Sequence, residues 1–206
     1  MLLYLVRHGE TESNRAGLAL GRADVPLNER GMRQARCLGE ALAGEPFAVI
    51  YTSPLARTRQ TAEAIAGPHG LPPVAEQGLI EMDIGELDGL TFAEIRERHP
   101  GLLERWVSPE GQTTALLGGE SLAEVRDRAW KTLQILGRRH ENETVCAVTH
   151  NFVILSVLTL ALGVELSHFR RLRHSVGAIS VLDFRADRVR VRRLNDTCHL
   201  AAEDNH

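Results

Sequence analysis

The sequence is poor in paired cysteine. Its three cysteines, Cys37, Cys146 and Cys198, lie far apart and are odd in number, with no CxxC pair among them. That argues against a zinc knuckle and a disulfide framework, and makes the reducing cytoplasm the expected location. Positive charge is not in excess either. The formal net charge is −3, so bulk electrostatics favour neither nucleic acid nor an anionic membrane. Long apolar runs are missing. The longest, FVILSVLTLALGVEL, contains Ser156 and Thr159 and is too short to span a bilayer, so it reads as a buried helix. The start, MLLYLVRHGE, has no basic n-region, and Arg7 interrupts it too early for a signal peptide. No repeat, low-complexity tract or linker divides the chain. Its 206 residues, 43% hydrophobic and 25% charged, suit a single domain over 1–206 built on one core.

Strand-length apolar runs alternate with helical patterns. LLYLV (Leu2–Val6), FAVIY (Phe47–Tyr51) and TVCAVT (Thr144–Thr149) read as buried strands. Leu27, Gly31, Ala35, Leu38 and Leu42 fall at helical spacing, with Asn28 placed to cap. Ser53-Pro54 predicts a helix start, Ser as N-cap and Pro at N1, with an end at Gly67-Pro68. Ser121 and Glu124 make a capping box for a helix carrying Leu122, Val125, Ala129, Leu133 and Leu136. AISVLDF and RVRVRRL predict a late hairpin turning near Ala186-Asp187. The order βαβα…βα, with continuous apolar strands, predicts an α/β fold: a mostly parallel sheet, helices on both faces and a C-terminal strand pair.

Ligands of open α/β sheets bind beyond the carboxyl ends of the strands. Arg7 and His8 follow the first strand. Thr52-Ser53 follow the second, with Arg57 in the next helix. His150 and Asn151 follow the third. Arginine offers forked donors suited to phosphate oxygens, and histidine can attack or carry a proton near neutral pH. Each residue alone also fits an ordinary loop or a solvated helix charge, and pattern alone leaves both readings open.

The stretch RHGET followed by Asn14 resembles the signature of the histidine phosphatase superfamily, the phosphoglycerate-mutase-like enzymes. GRADVPLNERGMRQA, SPLARTRQTA, LIEMDIGELDGL, GGES and VTH match further landmarks in the same order, from about Leu2 to Leu200. The resemblance implies that His8 is the nucleophile and forms a phosphohistidine. It implies that Arg7, Arg57 and His150 hold the phosphoryl oxygens, that Asn14 donates a further hydrogen bond, and that Glu81 is the general acid and then the base. Gly9 would let the backbone pass close to the imidazole, and Asn151 would line the substrate site. His8 needs an acceptor to orient its ring, and the sequence does not identify one. Glu86 and Asp88 read as solvated loop charges. A helical insertion at about 90–117 would form the lid.

The resemblance implies a phosphatase rather than a mutase. Family mutases follow the acid Glu with Arg and then Tyr-Gly and carry a longer insertion, whereas Met82, Asp83, Ile84 and Gly85 follow Glu81 here. A non-catalytic phosphate-binding module is the other rival, but it would need neither His8 nor Glu81. LNDTCHL and GGESLAEV resemble metal-independent phosphoserine phosphatases, which usually carry His where this chain has Ile84. Alpha-ribazole, sugar-phosphate and broad-specificity phosphatases share the other motifs. Phe92, Trp106, Val107 and Leu116 are candidates to touch the alcohol. With no cation pair evident in the insertion, esters of neutral alcohols are the expected better substrates. No cofactor or metal is expected: His8, Glu81 and His150 lack ligand spacing, and Arg7 and Arg57 would repel a divalent cation. The expected partner is a small phosphomonoester, without nucleic acid or membrane and with a homodimer left open. The basic stretches FRRLRH and RVRVRR read as solvated faces, and His199 as structural.

Overall fold

The computed structural model describes residues 1–108, 110–185 and 188–201. Among these, β1 (Leu2–Arg7), β2 (Phe47–Thr52), β3 (Val74–Ala75), β4 (Thr144–Thr149), β5 (Ile179–Phe184) and β6 (Val189–Asp196) form one sheet in the order β3-β2-β4-β1-β5-β6. The first four in that order are mutually parallel. β5 runs antiparallel to β1, and β6 antiparallel to β5. The expected α/β sheet and its strand pair are therefore present. The turn expected near Ala186-Asp187 lies outside the described residues.

The helices are α1 (Glu12–Arg15), α2 (Glu29–Leu42), α3 (Ala56–Ala66), α4 (Phe92–Arg98), α5 (Leu102–Trp106), α6 (Leu122–Arg139) and α7 (Asn151–Leu162). Strand side chains alternate between the two faces. Tyr4, Val6, Ile50, Cys146 and Val148 pack with Leu38, Leu42, Ala62 and Ile65 of α2 and α3. Leu3, Leu5, Tyr51, Val145 and Ala147 pack with Leu133 and Leu136 of α6 and with Val153, Ile154, Val157 and Leu158 of α7. Burying each Val, Leu or Ile among them contributes about 1.5–3 kcal/mol. Both faces being covered explains why the inner strands carry no polar alternation. No helix among the described residues is long and apolar enough to cross a membrane.

Local signals set most helix ends. The Asn28 side chain accepts from the Gly31 amide at 2.8 Å, and Ser121 and Glu124 form the reciprocal box. α7 stops at Gly163, which takes φ 66°. Ser53 is an exception. α3 starts only at Ala56, with Leu55 at the N-cap and no side-chain cap, because the Ser53 hydroxyl is engaged by His150 at 2.7 Å. α3 ends at Ala66, as expected, and runs into a short 3₁₀ turn over Gly67–His69.

The described residues of the 90–117 insertion carry two short helices and a 3₁₀ turn at Gly111–Thr113. α4 and α5 are separated at His99–Gly101, where Gly101 takes φ 73°. The segment is fastened by packing. Ile95 and Leu116 are buried in the core, and the Trp106 ring meets Phe152 of α7 and Phe169 edge-on at 5.5 and 5.4 Å. Phe92 is 52% exposed. Trp106 and Leu116 thus spend their surface on packing.

Candidate active site

Register makes the site. Arg7 pairs with Thr149 across β1 and β4, and Thr52 with Val148 across β2 and β4. The three strands therefore end level, and the next residues, His8, Ser53 and His150, become neighbours. The His8 amide donates to the Thr149 carbonyl at 3.1 Å, and the Ser53 amide to Val148 at 3.0 Å. The rings of His8 and His150 lie 5.2 Å apart.

His8 is buried, and its Nδ1 lies 2.7 Å from the carbonyl oxygen of Gly9. A carbonyl only accepts, so the proton sits on Nδ1 and Nε2 keeps its lone pair. The orienting acceptor is thus the backbone of the next residue. Burial, then the charges of Arg57 and Arg7, push the imidazole well below its usual pKa and keep it neutral. Gly9 also faces the backbone of α2. A Cβ there would meet the Gly31 carbonyl oxygen at 2.5 Å, and one on Gly31 would meet the Glu10 carbonyl oxygen at 2.0 Å. The pair lets α2 approach the loop.

Arg57 is fully buried. Its Nη1 donates to Ala23 O at 2.8 Å and its Nη2 to Gly21 O at 2.7 Å. Arg7 donates Nη1 to Asn151 Oδ1 at 2.9 Å and to the His174 carbonyl at 2.5 Å. Burial, with help from Arg57 and against the pull of Glu81, lowers Arg7 to about 10, so it stays cationic at neutral pH. His150 Nε2 lies 2.7 Å from the Ser53 hydroxyl, which also receives the Leu55 amide at 3.4 Å; with Ser53 donating to Nε2, the His150 proton sits on Nδ1. Six buried side-chain nitrogens lack a protein partner among the described residues, and three are Arg7 Nε, Arg57 Nε and His150 Nδ1. Three orphan donors beside one neutral imidazole call for an oxyanion.

Glu81 reaches the site because Thr149 Oγ1 donates to Leu79 O at 2.6 Å, tying its segment to the end of β4. It is buried, and its carboxyl accepts from the Met82 amide at 2.9 Å and the Phe152 amide of α7 at 3.2 Å. Burial raises its pKa against those hydrogen bonds and the charges of Arg57 and Arg7. Asn14 closes a capping box at α1. Its Oδ1 accepts from the amide and hydroxyl of Thr11 at 3.1 and 3.0 Å, so Nδ2 is the side-chain atom left to donate.

Several participants carry no expected role. Asp88 is no solvated charge, because it accepts the amides of Gly21 and Ala23 at 3.1 and 2.8 Å, the loop whose carbonyls hold Arg57. Arg22, Arg128 and Glu120 surround the backbone of Glu81. Arg22 and Glu120 lie within the motifs GRADVPL and GGES, a signal that marked the positions without naming their task. Beyond Arg7, Asn14 and Asn151 opens a cleft of about 990 Å³ that Phe169, Arg170, Arg173 and His174 also line. Arg170 and Arg173 are exposed. His199 donates to Gly177 O at 3.0 Å, a structural use.

The profile of the histidine phosphatase superfamily (branch 1) matches residues 3–197. The chain belongs to that superfamily. By that kinship it is a phosphatase. It is 39% identical over 198 residues to phosphoserine phosphatase 1 of Hydrogenobacter thermophilus, covering 96% of this chain and 93% of that protein. It is 36% identical over 157 residues to a metal-independent phosphoserine phosphatase of Arabidopsis thaliana, covering 75% and 66%. It spans about half, 54%, of the longer mycobacterial proteins that it also matches. Among solved structures, Bacillus stearothermophilus YhfR superposes with a TM-score of 0.91 at 31% identity, covering 97% and 98% of the two chains.

Proposed function

We propose that this phosphatase is a metal-independent phosphomonoester hydrolase that works through a phosphohistidine on His8. The observation that carries the proposal is the set of buried, unpartnered donors, Arg7 Nε, Arg57 Nε and His150 Nδ1, beside the free Nε2 of His8. The two guanidiniums supply fixed positive charge, and His150 a neutral N–H, where a phosphoryl group would sit, the task that metal ions perform in other phosphotransferases. In the first step His8 Nε2 bonds to phosphorus, the ester P–O bond breaks, and the Glu81 proton passes to the leaving alkoxide. In the second step water attacks phosphorus and gives its proton to Glu81. The N–P bond breaks, and phosphate leaves a neutral His8. The first step needs the charge states that burial favours, a neutral imidazole and a protonated carboxyl, and the second starts from the carboxylate that the first leaves behind.

The substrate reading changes from the one drawn on the insertion alone. Cations do stand over the cleft, but Arg170 and Arg173 come from the segment after α7. With relatives named phosphoserine phosphatases, this favours a small ester whose alcohol carries a carboxylate, phosphoserine first. Residues 90–117, set against Phe152 beside Glu81, would act as the lid of a single domain.

The test is His8→Ala. It should keep the fold and lose turnover of phosphoserine and nitrophenyl phosphate. An alkaline quench, which spares acid-labile phosphohistidine, should trap labelled phosphoenzyme in the parent protein only. Normal turnover by the variant would refute the proposal.

A further inference from the structure

The general acid sits in an awkward electrostatic position. Glu81 must carry a proton when the alcohol leaves, yet two arginines grip its own backbone. Arg22 Nε donates to the Glu81 carbonyl at 3.2 Å, and Arg128 Nη2 donates to it at 3.0 Å. Arg128 Nη1 also holds Gly78 O at 3.1 Å, so the guanidinium brackets the whole turn that delivers the acid. Cations this close ordinarily favour the ionised carboxylate.

Glu120 lies between the two. Its Oε1 accepts Arg128 Nε at 2.9 Å. Its Oε2 accepts Arg128 Nη2 at 3.0 Å, pairs with Arg22 Nη2 at 3.0 Å, and accepts the Asp83 amide at 3.0 Å. The Asp83 carboxylate meets Arg22 Nη1 at 3.4 Å. Two cations thus face two anions in one half-buried cluster. Although burial works against it, the bonds to Arg128 and Asp83 and the charges of Arg128 and Arg22 hold Glu120 ionised. The charges that bear on the Glu81 carboxyl are those of Arg57 and Arg7. The cluster fixes the peptide while adding little net field.

We propose that Glu120 is a positioning and charge-balancing residue for the general acid. It neutralises Arg22 and Arg128, so that both can clamp the Glu81 backbone without drawing the proton off its side chain. The inference rests on Glu81 acting as the acid. The charged and titratable groups facing Glu81 are Arg7 and His8 at the end of β1, Arg57 on α3, His150 ahead of α7, Arg22, Arg128 on α6, Asp83 and Glu120. Of these, Arg22, Arg128, Asp83 and Glu120 can be altered without touching the groups assigned to phosphorus.

The experiment is the pH profile of kcat/KM for an alkyl phosphomonoester, compared among variants of the full chain. The limb lost as pH rises reports deprotonation of the acid. Glu120→Gln leaves two cations facing Asp83 alone, so this limb should move to lower pH. One unbalanced charge at ~10 Å shifts a carboxyl by about one pH unit at an effective dielectric near 20. Arg22→Gln leaves the anions in surplus and should move the limb to higher pH. Glu120→Gln combined with Arg22→Gln should return it towards its starting place. Glu120→Asp, which keeps the charge, should lose rate without moving the limb.

A limb that stays fixed in folded Glu120→Gln and Arg22→Gln, or shifts the same way in both, would overturn the proposal. If Glu120→Gln does not fold, the opposite shift in Arg22→Gln still decides. Failure of the acid assignment itself is read separately, from the leaving-group dependence of Glu81→Gln.

Discussion

Replacing Glu81 by glutamine separates the chemistry of the acid from its place in the fold. The two carboxyl oxygens each receive one amide, from Met82 and from Phe152. Glutamine can answer only one of them with its carbonyl, and its amide nitrogen then faces an N–H donor. A buried donor left unpaired costs about 1–3 kcal/mol, so the variant should be less stable by that amount and still folded. The loss in rate is distinct. General acid assistance is commonly worth ~10²–10⁴, and an alkoxide needs it while nitrophenolate leaves largely unaided. For phosphoserine, kcat/KM should fall by ~10²–10⁴. For nitrophenyl phosphate, kcat/KM, which reports phosphorylation of His8, should hardly change. Hydrolysis of the phosphoenzyme loses its base with either substrate, so rapid mixing should show a burst of nitrophenolate followed by slow turnover. Denaturant unfolding measures the stability term alongside. Equal small losses in kcat/KM on both substrates, with no burst, would refute Glu81 as acid and base.

Removing Arg170 and Arg173 together as alanines should lower kcat/KM for phosphoserine by roughly 10- to 100-fold, the worth of a charged hydrogen bond of about 1.5–3 kcal/mol. Nitrophenyl phosphate, with no carboxylate, should be little affected, and parallel losses on both esters would remove the pair from recognition. Acid should weaken the fold through its buried neutral imidazoles: burial and Arg7 lower His174 to about 3, and burial with the nearby arginines holds His8 and His150 well below the usual imidazole range. The unfolded chain binds those protons near pH 6.5, so stability present above that pH is lost as pH falls towards the folded values. Each unit is worth about 1.4 kcal/mol, or about 3 kcal/mol at pH 4 for His174 alone. Thermal melts from pH 7 to pH 4 should fall less steeply for His174→Asn than for the parent, and identical slopes would count against this linkage.

The residues proposed to carry the chemistry were legible because each stands next to a feature that sequence reads well. His8 and His150 follow uninterrupted apolar strands, and an apolar run that ends abruptly marks the sheet rim. Caps at Asn28 and Ser121 are local, so spacing of three residues was enough to find them. Ser53 shows the limit of local rules. Its propensity as a cap yielded to a hydrogen bond with His150, 97 residues away, that only strand register creates. The same holds for the orienting carbonyl of Gly9, since which backbone atom a ring meets depends on torsions that composition does not encode. Gly9 and Gly31 were each visible, but their shared reason is the approach of two backbone segments. Arg22, Arg128 and Glu120 are ordinary surface charges in the one-dimensional pattern. They become a clamp because the Gly21 loop and α6 bring Arg22 and Arg128 to one carbonyl and the 116–120 turn sets Glu120 between them. Identity and order of the groups at the strand ends are thus set by the sequence. Proton placement, charge balance and the cations over the cleft are set by long-range packing, because they depend on distances between segments that no local propensity fixes.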